Sequence, residues 1–192
     1  MIITEKKLRL IIREELLVEQ SYDAYTHDQI ISSVNRALEI LNINNSTLRT
    51  FMIRIARQES GGNPAGEEGI TGYDSNPFQL DEPSIVEVKT NINMGKWRRF
   101  INNKEGQKPA NLSQLVEDQD SSAIRDSSTL SALYATLYIL WRMKAWKPGT
   151  EINPPSNLKS QADFWKKWYN TSAGKGRACE FIEKNGGSPC PS

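Results

Sequence analysis

The chain has 192 residues, 38% of them hydrophobic and 24% charged, with 24 basic and 23 acidic side chains leaving a net charge of +1. That length supports a single core burying about two-thirds of the unfolded surface, and the composition is that of an ordinary soluble globular protein. The even charge balance argues against an obligatory nucleic-acid partner, which leaves a basic face, and no run reaches the roughly 18 consecutive apolar residues of a membrane span.

The N-terminus does not read as a signal peptide, because Ile2-Ile3 is followed at once by Glu5-Lys6-Lys7. Leu8 to Leu17, interrupted by Arg9, Arg13, Glu14 and Glu15, reads instead as an amphipathic helix of mixed charge. It is either the first helix of the domain or an arm of residues 1–20, joined through Glu19-Gln20-Ser21-Tyr22 to a domain spanning 21–192. Thr26-His27-Asp28-Gln29 has the form of a capping box, and the apolar residues Ile30, Ile31, Val34, Ala37, Leu38 and Leu41 follow it at helical spacing.

A second helix is predicted from Ser46, with Leu48, Phe51, Met52 and Ile55 at i, i+3, i+4 and i+7. Glu59 continues that face, four residues beyond Ile55, where Ser60-Gly61-Gly62-Asn63-Pro64 breaks the helix. A carboxyl held against apolar side chains is disfavoured in its charged form and becomes a proton donor near neutral pH. The alternative is a solvated residue at a helix end. Residues 66–81 are rich in turn formers yet carry Ile70, Tyr73, Phe78 and Leu80, so a loop or small hairpin with a structural role is expected there.

Pro83 suits the first position of a helix bearing Ile85, Val86 and Val88. The polar stretch from about 91 to 120 is the least legible. Leu130 to Trp146 is apolar almost all round and is expected at the centre of the fold, ending at Pro148-Gly149. Ser160-Gln161-Ala162-Asp163 resembles another capping-box start, and its helix places Phe164, Trp165 and Trp168 in the core, with Tyr169 and Asn170 at the helix end. A last helix, 177–184, stops at Asn185-Gly186-Gly187. The fold class is therefore mainly α.

Other chemistries fail by counting. A catalytic zinc site draws on two or more histidines, and His27 is the only one. A Cys-His pair from Cys179 or Cys190 with His27 runs in the wrong order for the wall-cutting cysteine peptidases. Gly174-Lys175-Gly176 lacks the rest of a phosphate loop. No metal or cofactor is expected. Cys179 and Cys190 are either a terminal staple or free thiols. The clusters Lys96, Arg98, Arg99, Lys104 and Lys166, Lys167, Lys175, Arg177 read as solvated faces, with a local basic patch facing an anionic partner as the alternative.

Three short elements, Glu59-Ser60, Phe78-Gln79-Leu80-Asp81 twenty residues further on, and Tyr169-Asn170-Thr171, occur in that order. Together they resemble the lysozyme-like superfamily, specifically the soluble lytic transglycosylases and goose-type lysozymes. Those families place Glu-Ser at a helix end, a Gly-Leu-Met-Gln run lining the sugar cleft and a late Tyr-Asn. This chain departs from the pattern, with Asn76-Pro77-Phe78 before the glutamine and Trp168-Tyr169-Asn170-Thr171-Ser172 for Ala-Tyr-Asn-Ala-Gly.

The resemblance implies cleavage of the β-1,4 bond between N-acetylmuramic acid and N-acetylglucosamine in peptidoglycan glycan strands. Glu59 would be the general acid, and Ser60, Gln79, Tyr169 and Asn170 would contact the substrate. In a transglycosylase the one Glu serves as acid and then base. In a goose-type hydrolase a second carboxylate positions water, and Asp74 and Asp81 lie close to where that family keeps its aspartates. A non-catalytic structural or wall-binding protein of the same fold is the third reading. The opening Lys7-Leu8-Arg9 to Leu16 is also similar to those of tailed-phage virion proteins, which implies virion proteins as partners of residues 1–20.

Overall fold

The computed structural model describes residues 24–60, 73–74, 77–93, 119–145, 150–170 and 176–191. The arm 1–20 and most of the stretch 91–120 lie outside them. The described chain is mainly α: α1 (His27–Ile40), α2 (Ser46–Glu59), α3 (Glu82–Asn93), α4 (Ser121–Asp126), α5 (Ser128–Arg142), α6 (Leu158–Phe164), a π-helical turn (Trp165–Tyr169) and α7 (Ala178–Lys184). Among the described residues, no helix is long and apolar enough to cross a membrane.

The helix of Ser128–Arg142 is the axis of the fold, as its all-round apolar sequence requires. Every residue from Ser128 to Leu140 is buried, and α1, α2, α3, α4 and the π turn all pack against it. Two of its buried hydroxyls find partners in the interior. Ser128 Oγ and Ser33 Oγ of α1 share a hydrogen bond at 2.6 Å, and Thr136 Oγ1 donates to Ala132 O at 2.7 Å. The helix stops four residues short of the expected Trp146. Lys144 adopts φ 57°, and Lys144 N and Ala145 N donate to Trp141 O and Leu140 O, so a Schellman motif ends it before any proline or glycine does.

At the start of α1 the capping box is present: Gln29 N donates to Thr26 Oγ1 at 3.2 Å and Thr26 N to Gln29 Oε1 at 2.8 Å. The stripe Ile30, Val34, Ala37 and Leu38 is buried on α5. A Schellman turn with Asn42 at φ 53° reverses the chain into α2, whose cap is Asn45. For α6 the cap is Asn157, whose Oδ1 accepts from Ser160 N at 2.8 Å. Ser160 is thus the third helical residue and not the cap, because the Asn157 side chain already takes that N–H. The last helix ends where expected, with Gly186 at φ 82° and Gly187 N bonded to Ile182 O.

Among the described residues, the strand content is one antiparallel pair in which Ala24 faces Asp74 and Tyr25 faces Tyr73. Thus the described strand residues of 66–81 pair with the segment before α1, and not with each other. The remainder of that region falls outside the described residues. Asp81, not Pro83, opens α3: its Oδ1 accepts from Ser84 N at 2.9 Å, and Pro83 occupies the second helical position.

Candidate functional site

The site grows from the C-terminal end of α2. The helix buries Leu48, Phe51, Met52 and Ile55, and Phe51 meets Phe164 and Phe181 edge-on at ring-centroid distances of 5.7 and 6.4 Å. Trp165, 1% exposed, lies tilted against Phe181 at 5.4 Å. These four rings form a floor, and Glu59 is half-buried above it. Trp165 Nε1 donates to Glu59 Oε1 at 2.5 Å.

Burial is the largest influence on this carboxyl and pushes its pKa up from 4.5; the Trp165 hydrogen bond and the Lys184 ammonium of α7 pull the other way without reversing it. Lys184 is itself anchored to the end of α2, its Nζ donating to Gln58 O at 3.0 Å.

Tyr169 ends the π turn that begins with Trp165. Its hydroxyl donates to Phe78 O at 2.6 Å, and its ring meets Tyr138 of α5 at 5.8 Å, near-perpendicular. Burial first, then the negative charge of Glu59, raises its pKa well above 10.0, so it stays protonated and keeps donating. Asp81 contributes more weakly to that rise, so Glu59, Tyr169 and Asp81 share one electrostatic neighbourhood.

Gln79 follows Phe78 with φ 46°, a left-handed conformation that costs a non-glycine residue roughly 1–2 kcal/mol. The turn is gripped on both sides. Tyr169 holds Phe78 O, and Arg125 Nε of α4 donates to Leu80 O at 3.1 Å while its NH2 pairs with Glu82. The result is an exposed Gln79 on a rigid backbone, between the buried side chains of Phe78 and Leu80. Strain of this kind concentrates where a side chain must be presented.

The remaining sequence-predicted residues are placed as follows. Ser60 is buried, and its Oγ donates to Ala56 O of its own helix at 2.6 Å, so the hydroxyl caps α2. Asn170 Oδ1 accepts from Lys166 Nζ at 3.0 Å, and its amide nitrogen lies beside Gly176. Asp81 carries the cap of α3. Asp74 sits in the second strand, and its side chain is outside the described part of the structure. Trp168, expected in the core, is half-buried, with Lys167 Nζ 4.6 Å over its ring.

Sequence reasoning missed Trp165 as the partner of Glu59. A signal existed, since an indole N–H has no acceptor capacity and must find an oxygen when its ring is buried. Gly176 was also missed. A Cβ there would stand 2.7 Å from Trp165 Cη2, so the indole occupies the space a side chain would need. Comparisons with models of protein families, with curated proteins and with solved structures give no match to this chain.

Proposed function

We propose that the chain is a peptidoglycan-cleaving glycosidase of the lysozyme-like type, with Glu59 as general acid. The observation that carries this reading is the Glu59 carboxyl itself: held by the indole of an aromatic floor, with its pKa raised by burial, and close enough to Tyr169 for its charge to act on that hydroxyl. A carboxylic acid kept neutral above its ordinary range is what protonation of a glycosidic oxygen requires.

In the reaction, the Glu59 proton passes to the glycosidic oxygen as the anomeric C–O bond breaks. The O–H electron pair remains on the carboxylate, and oxocarbenium character develops at the anomeric carbon. In the transglycosylase form the sugar's own 6-hydroxyl attacks that carbon and returns its proton to Glu59. Gln79 offers its amide to the sugar from a fixed backbone. Tyr169 uses its one hydroxyl proton on Phe78 O, so it acts on substrate through the turn it holds and through its oxygen lone pairs.

A single-carboxylate mechanism is favoured because the Asp81 carboxylate already serves Ser84 N–H at the start of α3. The goose-type hydrolase, which uses a second carboxylate roughly 6.5–9.5 Å from the acid, is the second reading; Asp81 supports it through its influence on Tyr169.

The test is clearance of a peptidoglycan suspension by the purified protein and by Glu59→Gln. The variant is expected to lose two or more orders of magnitude of activity, about 2.7 kcal/mol in the barrier, while remaining folded. A folded Glu59→Gln protein with full lysis refutes the assignment, and a wild-type protein without lysis favours the non-catalytic reading. Mass spectrometry of the products separates the two enzymatic forms, since an anhydro sugar is lighter by one water than a reducing end.

A further inference from the structure

A carboxyl acid has two oxygens, and the geometry of the π turn bears on which of them carries the Glu59 proton. The turn is closed by Asn170 N donating to Trp165 O at 2.9 Å, the five-residue spacing of a π helix. Such turns are rare and are frequent at functional sites. Here one short segment delivers the Trp165 indole to Glu59 and, four residues later, the Tyr169 hydroxyl to Phe78 O. The indole has no freedom to leave. It is packed on Phe181, 1% exposed, and its rim fills the space beside Gly176.

We infer that Trp165 is a positioning residue that selects the acid oxygen of Glu59: its N–H holds Oε1 as the acceptor, leaving Oε2 to present the proton to the glycosidic oxygen. This rests on the glycosidase reading. An indole N–H donates only, so the carboxyl oxygen it meets cannot aim a proton along the same line. A glutamine, serine or water at that place would reorient and let the proton sit on either oxygen; an indole cannot. The same N–H then stabilises the carboxylate left behind after the proton has gone, since bonds to ionised acceptors are about twice as strong as neutral ones. One bond thereby serves the acid before transfer and the base after it.

Among the described residues, the other charged or titratable groups bearing on Glu59 are Lys184 from α7, which favours the carboxylate, and Tyr169 from the π turn, whose own titration Glu59 opposes.

The experiment follows the Glu59 carboxyl carbon by NMR through a pH titration in wild-type protein and in Trp165→Phe, alongside the pH profile of cleavage of soluble glycan oligomers. Loss of the N–H removes a bond that favours the ionised form. The Glu59 midpoint and the high-pH limb of the profile are therefore expected to move up together by about one pH unit. Turnover is expected to fall about tenfold at unchanged KM as the carboxyl loses its orientation. Should Trp165→Phe not fold, the wild-type indole proton provides the readout: its shift must follow the Glu59 midpoint and lose that inflection in Glu59→Gln. An unchanged midpoint and profile in an active Trp165→Phe protein, or an indole proton indifferent to Glu59, overturns the role of Trp165 alone. A wild-type protein that titrates as described but cleaves no glycan overturns the glycosidase reading and this role with it.

Discussion

Gly176→Ala tests the packing behind the site with a single methyl group. A Cβ at this position lies 2.7 Å from Trp165 Cη2, against the 3.5–4.0 Å of an ordinary carbon contact, so a gap of about 0.8 Å must open. The far rim of a side chain is usually able to yield. This one is not, because the ring is stacked on Phe181 at 5.4 Å and tied at its other edge to Glu59. Asn170 Nδ2, 3.3 Å from the same Cβ, blocks the neighbouring direction. Overpacking of this kind costs about 1–3 kcal/mol. Against it stands the smaller conformational entropy of alanine in the unfolded chain, worth about 0.4–1 kcal/mol in the variant's favour. The steric effect wins, leaving about 1–2 kcal/mol of destabilisation and a Tm about 3–6 °C lower by calorimetry. The indole proton of Trp165 is expected to shift in the same variant, because any displacement of the ring changes its hydrogen bond to Glu59. A Gly176→Ala protein as stable as wild type, with an unmoved indole resonance, would refute the reasoning and place Trp165 in looser surroundings.

Three further outcomes follow from the same geometry. Because burial raises Glu59 above 4.5, the folded chain binds this proton more tightly than the unfolded one; the stability this contributes is complete below pH 4.5 and is lost as pH rises through the folded value. Glu59→Gln is therefore expected to gain in Tm relative to wild type between pH 4 and pH 7, and a difference independent of pH counts against a buried Glu59. Cys179 and Cys190 form a disulfide across 11 residues of sequence, pinning the C-terminal tail to the helix that carries Phe181 and Lys184. Its removal in the double alanine variant is expected to cost about 3 kcal/mol, or about 6–12 °C in Tm, and an unchanged melting curve refutes a stapling role. Gln79→Gly relieves the left-handed backbone at φ 46° and is expected to leave Tm equal or higher while glycan cleavage falls, whereas full cleavage removes Gln79 from the site.

Much of the fold was legible in the chain itself, wherever the information is local. The Thr26 capping box, the stripe of α1, the apolar helix through residues 130–140, and the glycine stop after Lys184 depend on residues within a few positions of each other, and sequence spacing reports such contacts directly. The same holds for Glu59 as the continuation of the α2 face. Boundaries were less legible where two residues competed for one role. Asn157 and Ser160 are both good caps, and only the path of the chain before α6 decides between them. At the end of α5 a non-glycine residue, Lys144, took the left-handed position that glycine usually marks.

What only the tertiary structure decided is the set of partners across the chain. Trp165 and Glu59 are separated by 106 residues, Tyr169 and Phe78 by 91, and Arg125 and Leu80 by 45. A helical period shows which face of an element is buried but carries nothing about which element buries it, so Trp165 read as core without its acceptor. For Cys179 and Cys190 the sequence left a staple and free thiols equally open, and the reversal of the tail after Gly186 brought their Cα atoms to 5.1 Å. Asp81 read as a candidate second carboxylate, and the arrival of Ser84 N–H at its side chain made it the cap of α3. In each case the residue types were set by local chemistry, and their use was set by the surface the fold laid against them.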